Sequence, residues 1–213
     1  MPFNTTPDSY TKLLIHSDTS DGSTTFVDSS ATGHTITNTN ASHEDTTAKF
    51  GATSMYFDGS GDNLNISANA DFAFGTGNFT IDFWYARAGA GDHNNELIYA
   101  NRGGSGDYFQ IYYSLSGKGI QTQLYVSSTL TQENFSIDLT SDTGWHHYAL
   151  VRTGVTWYWY LDGASQTLTT DSSAGTAVGA SDKQVTMGSR DTGTPARFLN
   201  GYLDEFRVSK GIA

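Results

Sequence analysis

The sequence predicts an all-β protein, a sandwich of two antiparallel sheets, and three observations carry that prediction. The first is composition: 29 Thr, 23 Ser, 12 Tyr, 12 Phe and 4 Trp stand against only four Glu. Thr and the aromatics suit a pleated surface, and strong helix formers are scarce. The second is rhythm. No segment keeps a helical period over three turns, whereas short alternating runs recur between Gly, Asn, Asp and Ser clusters. The third is turn chemistry. Asp162-Gly163 separates two strand-like runs, and Asp-Gly suits a two-residue hairpin because a type I′ turn needs positive φ at both positions. A chain of 213 residues suits one domain and is long enough to bury about 70% of its unfolded surface.

Taken in order, strands are expected over 12–17, 34–39, 54–57 and 63–66. Asp58-Gly59-Ser60-Gly61-Asp62 is expected to join the last two of these as a hairpin turn. The run 79–87 follows, with Phe79, Ile81, Phe83 and Tyr85 on one face and Thr80, Asp82 and Trp84 on the other. Strands are then expected over 96–101, 108–114, 120–126, 132–137 and 145–152. In 156–161, Trp157, Trp159 and Leu161 oppose Thr156, Tyr158 and Tyr160. The series closes with 165–170, 184–187 and 201–208. Such strands pack their apolar face against a second sheet. Their aromatic-polar face suits a sugar groove or, equally, a protein interface.

Charge and composition exclude several function classes. The net charge is −11, with 11 Lys and Arg and no run of them. That argues against a sequence-independent nucleic-acid binder, which gains affinity by neutralising phosphates, and against adsorption to an anionic membrane. It is compatible with binding cations. Cys is absent, so no disulfide, thiolate metal site or cysteine nucleophile exists. The first residues have neither a basic start nor an apolar core, and no apolar run approaches the ~20 residues of a membrane span. Synthesis in a cytoplasm, with no membrane insertion, is expected. The Asn-x-Ser/Thr triplets at Asn4, Asn40, Asn65, Asn78 and Asn134 are read as coincidences of a composition rich in Asn, Ser and Thr.

Several stretches together resemble one family. They are Leu13-Leu14-Ile15-His16-Ser17-Asp18, Phe26-Val27-Asp28 with Gly33-His34, Lys49-Phe50-Gly51, and Met55-Tyr56-Phe57-Asp58-Gly59. Further on come Gly77-Asn78-Phe79-Thr80-Ile81-Asp82-Phe83-Trp84, Gly144-Trp145-His146-His147-Tyr148, Tyr160-Leu161-Asp162-Gly163, Met187-Gly188 and Gly201-Tyr202-Leu203-Asp204-Glu205-Phe206-Arg207. Their order and spacing are similar to the laminin-G-like jelly-roll domain of the concanavalin A-like lectin/glucanase superfamily. The closing segment resembles copies carried by structural proteins of tailed bacteriophages. The resemblance covers 10–213, leaving 1–9 as an N-terminal arm. It implies a curved two-sheet sandwich with jelly-roll connections, glycan or protein binding, and often a structural calcium ion, but not an enzyme. It also implies a virion setting, reached from the host cytoplasm and extracellular after release.

Glucan-cleaving relatives on this fold use an alternating Glu/Asp run that puts the carboxylates on one strand face. No Glu-x-Asp-x-Glu occurs here. Asp204 and Glu205 are adjacent on a strand and are expected to point to opposite faces. His146-His147 fails as a chelating pair for the same reason, one being expected in the core and the other toward solvent. For calcium, which takes six to eight hard oxygens, the resemblance points to Asp18, Asp28 and Asp204, with Glu205 able to substitute for Asp204. The alternative is that Asp18 and Asp28 form turns. Asp58-Gly-Ser60-Gly-Asp62 copies part of an EF-hand loop but lacks its Gly and its final Glu, so a turn is the better reading.

Sugar binding needs an aromatic platform and polar donors. Trp84, Tyr112, Tyr125, Tyr158 and Tyr160 are candidate platforms, and Arg87 and Arg102 candidate donors. The alternative for each aromatic is core packing. Loops 89–95 and 103–107 are candidate rims. The expected function is thus non-catalytic recognition of a host-surface polysaccharide by a virion module. Many copies, in possible homo-oligomers alongside other virion proteins, would raise a weak single-site affinity. A capsid or tail decoration protein without a sugar site is the alternative, and a glycoside hydrolase the third reading.

Overall fold

The computed structural model of the protein describes residues 7–89, 95–102, 106–114, 116–173, 175–179, 182–190 and 197–213. Its first elements are β1 (Thr11–Ile15), β2 (Ile36–Thr39), β3 (Ser42–Glu44), β4 (Ser54–Asp58), β5 (Asn63–Ile66) and a 3-10 turn at Ala70–Phe72. There follow β6 (Phe79–Arg87), β7 (Glu96–Arg102), β8 (Tyr108–Ser114), β9 (Gly119–Val126) and β10 (Thr129–Asn134). The last are β11 (His146–Thr153), β12 (Thr156–Leu161), β13 (Ala164–Gln166), β14 (Thr170–Asp171), β15 (Gln184–Met187) and β16 (Asn200–Lys210). No helix among the described residues is long and apolar enough to cross a membrane.

These strands form two eight-stranded antiparallel sheets. The first runs β13-β12-β11-β6-β16-β4-β3, with β1 also on β16, and the second runs β14-β10-β9-β8-β7-β15-β5-β2. The long closing strand β16 takes β4 along Asn200–Leu203 and β1 along its later residues. Between those halves the register shifts, and Glu205 takes φ 49°. One extra residue here bends the strand and lets it serve two partners on one edge.

Period two sets the interior as expected. Phe79, Ile81 and Phe83 of β6 and Trp159 of β12 are fully buried. Phe83 stacks on Phe206 at 5.4 Å, and Phe206 in turn on Tyr99 of the opposite sheet at 5.9 Å. The Trp159 indole N–H donates to the Glu133 carbonyl at 2.9 Å, tying β12 to β10 across the sandwich. Removing one such ring would cost about 3–5 kcal/mol.

Three expectations change. The Asp58–Asp62 segment is not a hairpin: β4 belongs to the first sheet and β5 to the second, so the loop crosses between layers. Its turn residues serve that crossing, with the Asp62 carboxylate accepting from the Asp58 amide at 2.7 Å and Asp58 from the Ser60 amide at 2.7 Å. Neither neighbouring histidine is in the core. His146 is half-buried between Asp162, at 2.7 Å, and Asp142, at 3.1 Å, and His147 packs on Trp84. The 165–170 strand is interrupted, β13 joining the first sheet and β14 the second. Asp162 and Gly163 do take positive φ, 49° and 78°, at the tip of the β12–β13 hairpin.

Candidate functional site

The outer face of the second sheet is built by the alternate residues of seven strands. Pairing register places Thr37, Asn65, Thr186, Ala100, Gln110, Gln123 and Gln132 in one row across it. Neighbours in the row bond sideways: Gln110 Nε2 donates to Gln123 Oε1 at 2.8 Å, and Thr186 Oγ1 to Asn65 Oδ1 at 2.9 Å. Ala100, at the centre, offers only a methyl group.

Aromatic platforms flank this row. Toward one end Tyr108 and Tyr125 are register partners and stack at 5.5 Å with 13° between their planes. The Arg102 guanidinium lies 4.6 Å from the Tyr108 ring centre. Toward the other end Tyr112, paired with Leu97 and Gln121, donates its hydroxyl to Gln121 Oε1 at 3.2 Å. Burial raises the Tyr112 pKa, so the phenol stays a donor. Leu97, Ala100 and Tyr112 form a small apolar cluster apart from the main core. Among the described residues, no outward strand position of this sheet is Asp or Glu. In a chain with 22 acidic residues the face is made of amides, hydroxyls, tyrosines and arginines. The middle of the row is buried, with Ala100, Gln110 and Thr186 each 1% exposed and Tyr112 3%. Asn65, Gln121, Gln123, Gln132, Tyr108 and Tyr125 keep part of their surface, so these are the side chains that can exchange hydrogen bonds with hydroxyl groups and offer flat rings to a C–H face.

The structure therefore brings Tyr112, Tyr125 and Arg102 of the expected sugar-binding set onto one face. Trp84 and Tyr158 lie on the outer face of the first sheet instead. There Trp84 is half-buried, with Lys49 Nζ 4.1 Å over its ring, Phe50 edge-on at 5.5 Å and His147 at 5.2 Å. Tyr158 is exposed near Tyr160, two residues along β12. Asp82, between these groups, receives two bonds from Arg207 at 2.9 and 3.1 Å. Burial works against the Arg207 charge, yet the Asp82 carboxylate outweighs it and raises the arginine pKa.

Arg87 is a correction. It faces inward and is buried, donating to the Thr140 carbonyl at 2.6 Å with its guanidinium 4.7 Å from the Tyr113 ring. It is the next inward position after Phe79, Ile81, Phe83 and Tyr85, so the same alternation that fills the core turns it in. Tyr108, which the sequence reading passed over, had a signal: Tyr108-Gln110-Tyr112 and Gln121-Gln123-Tyr125 alternate in matching order on consecutive strands. Residues 90–94 and 103–105 of the two expected rim loops lie outside the described residues.

The three carboxylates expected at a calcium site are not brought together. Asp28 is buried and accepts from the Leu14 amide at 3.0 Å, the Ser30 amide and hydroxyl at 2.8 Å, and the His34 amide at 2.7 Å. It organises the 28–34 turn. Asp18 accepts from the Ala52 amide at 3.0 Å. Asp204 is fully buried and accepts from the amides of Phe50 at 2.9 Å, Lys49 at 3.1 Å and Glu205 at 2.9 Å. Burial drives its pKa up to about 7 against those donors. Asp18 and Asp204 thus anchor the loop that carries Lys49 and Phe50 over Trp84. Glu205 bonds His16 Nδ1 at 2.9 Å. Among the described residues the acidic atoms that do converge, all within 4.8 Å, belong to Asp21, Glu44 and Asp45.

A cavity of about 100 Å³ opens at the Tyr108 end between Asn101, Phe109, Leu124 and Val178. Ligand pockets usually hold ~300–1,000 Å³, so this one is too small to enclose a sugar. The extended face is the candidate site.

Comparison with solved structures finds the same architecture. The binding domain of Paraclostridial Mosquitocidal Protein 1 superposes with a TM-score of 0.70 at 13% identity, over 96% of this chain and 49% of that one. The botulinum neurotoxin serotype D binding domain gives 0.68 at 14%, over 96% and 48%. Domain 4 of AbnA, a GH43 extracellular arabinanase from Geobacillus stearothermophilus solved with arabinotriose, gives 0.60 at 14%, over 84% and 82%. The chain spans about half the length of the toxin binding domains, and at these identities the likeness is one of fold. No curated protein sequence matches the chain. A family model of the laminin G type matches residues 58–212, from the inter-sheet crossing to the end of the closing strand, and the chain belongs to the concanavalin A-like lectin/glucanases superfamily.

Proposed function

We propose that the protein is a non-catalytic glycan-recognition module whose binding surface is the outer face of the second sheet. The observation that carries this reading is the carboxylate-free row of amides and hydroxyls flanked by the stacked, half-buried rings of Tyr108 and Tyr125. An oligosaccharide laid along β8 and β9, across the row, would stack a C–H face on Tyr108 and Tyr125. Gln121, Gln123 and Gln132 would exchange hydrogen bonds with its hydroxyls. Tyr108 and Tyr112 are four residues apart on one strand, about 13 Å at ~3.3 Å per residue, a span longer than one sugar ring. Two similar folds support the reading from outside: domain 4 of the arabinanase was solved with arabinotriose, and botulinum neurotoxin type C depends on interaction with two ganglioside molecules.

In this reading the module acts on a virion, where repeated copies multiply weak contacts. The resemblance of the closing segment to phage structural proteins supports that setting. The test is a glycan array with the whole chain and with a Tyr108→Ala/Tyr125→Ala double variant. Saturable binding to a defined glycan is expected, weakened at least about tenfold, or ~1.4 kcal/mol, in the variant. Absence of binding to any glycan, with the protein found stoichiometrically on particles, would establish the decoration role instead.

A further inference from the structure

Two arginines at one end of this face have no acidic partner among the described residues. Arg197 is half-buried just before β16, and its carbonyl accepts from the Leu97 amide at 3.1 Å. That bond fixes it at the start of β7, where Leu97 pairs with Tyr112. Its guanidinium sits 5.9 Å from the Tyr112 ring centre. Its backbone holds φ 84°, a left-handed conformation that disfavours any residue with a Cβ. Arg190 follows β15 toward the same end, since Met187 pairs with Tyr99, two residues past Leu97. Arg190 is also half-buried, and its Nε is shielded from solvent with no hydrogen-bond partner.

The two side chains are close enough to repel. Burial lowers the Arg197 pKa, and the Arg190 charge lowers it further. Neither makes an ion pair among the described residues, whereas Arg207 takes Asp82. Two like charges, partly desolvated, repel one another and destabilise the fold locally. What two guanidiniums beside an aromatic ring do well is grip a planar or tetrahedral oxyanion through several charge-assisted hydrogen bonds.

The geometry points to Arg190 and Arg197 as an anion subsite at the Tyr112 end of the face, so that the glycan recognised carries an acidic group, a sugar carboxylate or a sulfate ester. This rests on the glycan-recognition reading and adds the substrate class. A chain lying along β8, across the amide row, would place its acidic group at the Tyr112 end and a neutral ring at Tyr108 and Tyr125.

The test is calorimetric titration of the whole chain with three oligosaccharides of equal length. They are an oligogalacturonate, its carboxyl-reduced neutral counterpart, and that neutral oligomer bearing sulfate. At least one anionic oligomer is expected to bind about tenfold tighter than the neutral one, and which of them does so separates carboxylate from sulfate. That preference should fall as salt rises from about 0.05 to about 0.5 M, where charge interactions are screened. It should shrink toward unity in Arg190→Gln and in Arg197→Gln. The salt series on the unmodified chain serves even where a variant folds poorly. Equal binding of neutral and acidic oligomers, or a preference that survives both substitutions, overturns the subsite. In that case neutral binding that Tyr125→Ala abolishes leaves the recognition face standing. Failure of all three ligands overturns the subsite, and the glycan array then decides the recognition face separately.

Discussion

The two outer faces of this sandwich are made by the same alternating strands and end in opposite states. On the first sheet the polar groups are closed on one another. Asp82 holds Arg207, the loop at 49–52 lies over Trp84, and the buried Asp204 carboxylate fastens that loop through two of its amides. On the second sheet the amides bond sideways along the row, and the arginines lie beside tyrosine rings. Ion pairs close a surface, because each charge already has its partner. The partly exposed amides of the second sheet, Asn65, Gln121, Gln123 and Gln132, leave donors and acceptors for an incoming ligand, since each offers more hydrogen-bonding positions than one neighbour uses. The first face is therefore read as stability and the second as recognition, and substitutions on each should separate those two properties.

The largest effect is expected at Asp204→Ala. Three backbone amides lose their acceptor, each buried unsatisfied group costing ~1–3 kcal/mol. Because the three are not independent, about 3 kcal/mol in total is expected, or a fall in Tm of roughly 6–12 °C for a domain of this size. Thermal unfolding followed by circular dichroism reads this directly. Glycan affinity of the folded fraction should not change. Asp204→Asn, which keeps one acceptor oxygen, should recover part of the loss. A variant that loses glycan binding with its Tm intact would reverse the roles of the two faces.

Next comes a matched pair of aromatics. Tyr125→Ala should weaken glycan binding about tenfold, or ~1.4 kcal/mol, with Tm within about 2 °C of the parent. Trp84→Ala should do the opposite. It removes the ring beneath Lys49 and Phe50 and lowers Tm, while affinity stays within about twofold. Titration and thermal unfolding of both proteins complete the cycle, and equal loss of affinity in the two would erase the distinction between faces.

That distinction was only half legible in the sequence. Alternation placed Trp157, Trp159 and the Phe79–Tyr85 set inside, because period two is a local property of the chain. It also recovered β5, β6, β8, β12 and β15 to the residue. It missed β3, whose three residues Ser-His-Glu are too few and too polar to show a rhythm. It took the Asp58–Asp62 turn for a hairpin, since the same Gly and Asp residues serve a tight turn and a crossing between sheets. Which carboxylate meets which amide depends on register between distant strands. Nothing near Asp204 announces that Lys49 and Phe50, about 155 positions earlier, will cap it. The row Gln110–Gln123–Gln132 is invisible for the same reason until the three strands are aligned.

Acidity should act on stability more than on recognition. Burial raises Asp204 from its ordinary 3.8 to about 7, and Glu133, at the edge of the second sheet, from 4.5 to about 7. Both folded-state values lie above the unfolded ones, so between about pH 4 and 7 the native state binds more protons. Stability is then fully present below the unfolded values and is lost as pH rises through about 7. His146 acts in the same sense above 6.5: burial opposes its charge, but Asp162 and Asp142 outweigh that and raise its pKa. His43, lowered by burial, opposes them as pH falls below 6.5. Tm should therefore rise as pH drops from 7 toward 4.5, and Asp204→Asn and Glu133→Gln should each flatten that slope. A Tm that climbs with pH over this window would show that the carboxylates titrate near their ordinary values.

Calcium is expected to make the smallest difference, and it tests whether the closed face needs an ion to stay closed. Asp18, Asp28 and Asp204 already accept backbone amides and do not converge. The group that does converge, Asp21, Glu44 and Asp45, is largely exposed, and a site with so few fixed oxygens belongs with weak binders of ~10⁻³ M. At an ion concentration equal to that Kd the linkage stabilisation is only about 0.4 kcal/mol, or roughly 1–2 °C in Tm. Adding millimolar calcium to the chelated protein should therefore shift Tm by no more than that, and Asp21→Asn should remove the shift. A rise several times larger, surviving Asp21→Asn but lost in Asp28→Asn or Asp18→Asn, would mean that those carboxylates gather around an ion. The first face would then be closed by a metal rather than by the amides of its own loop.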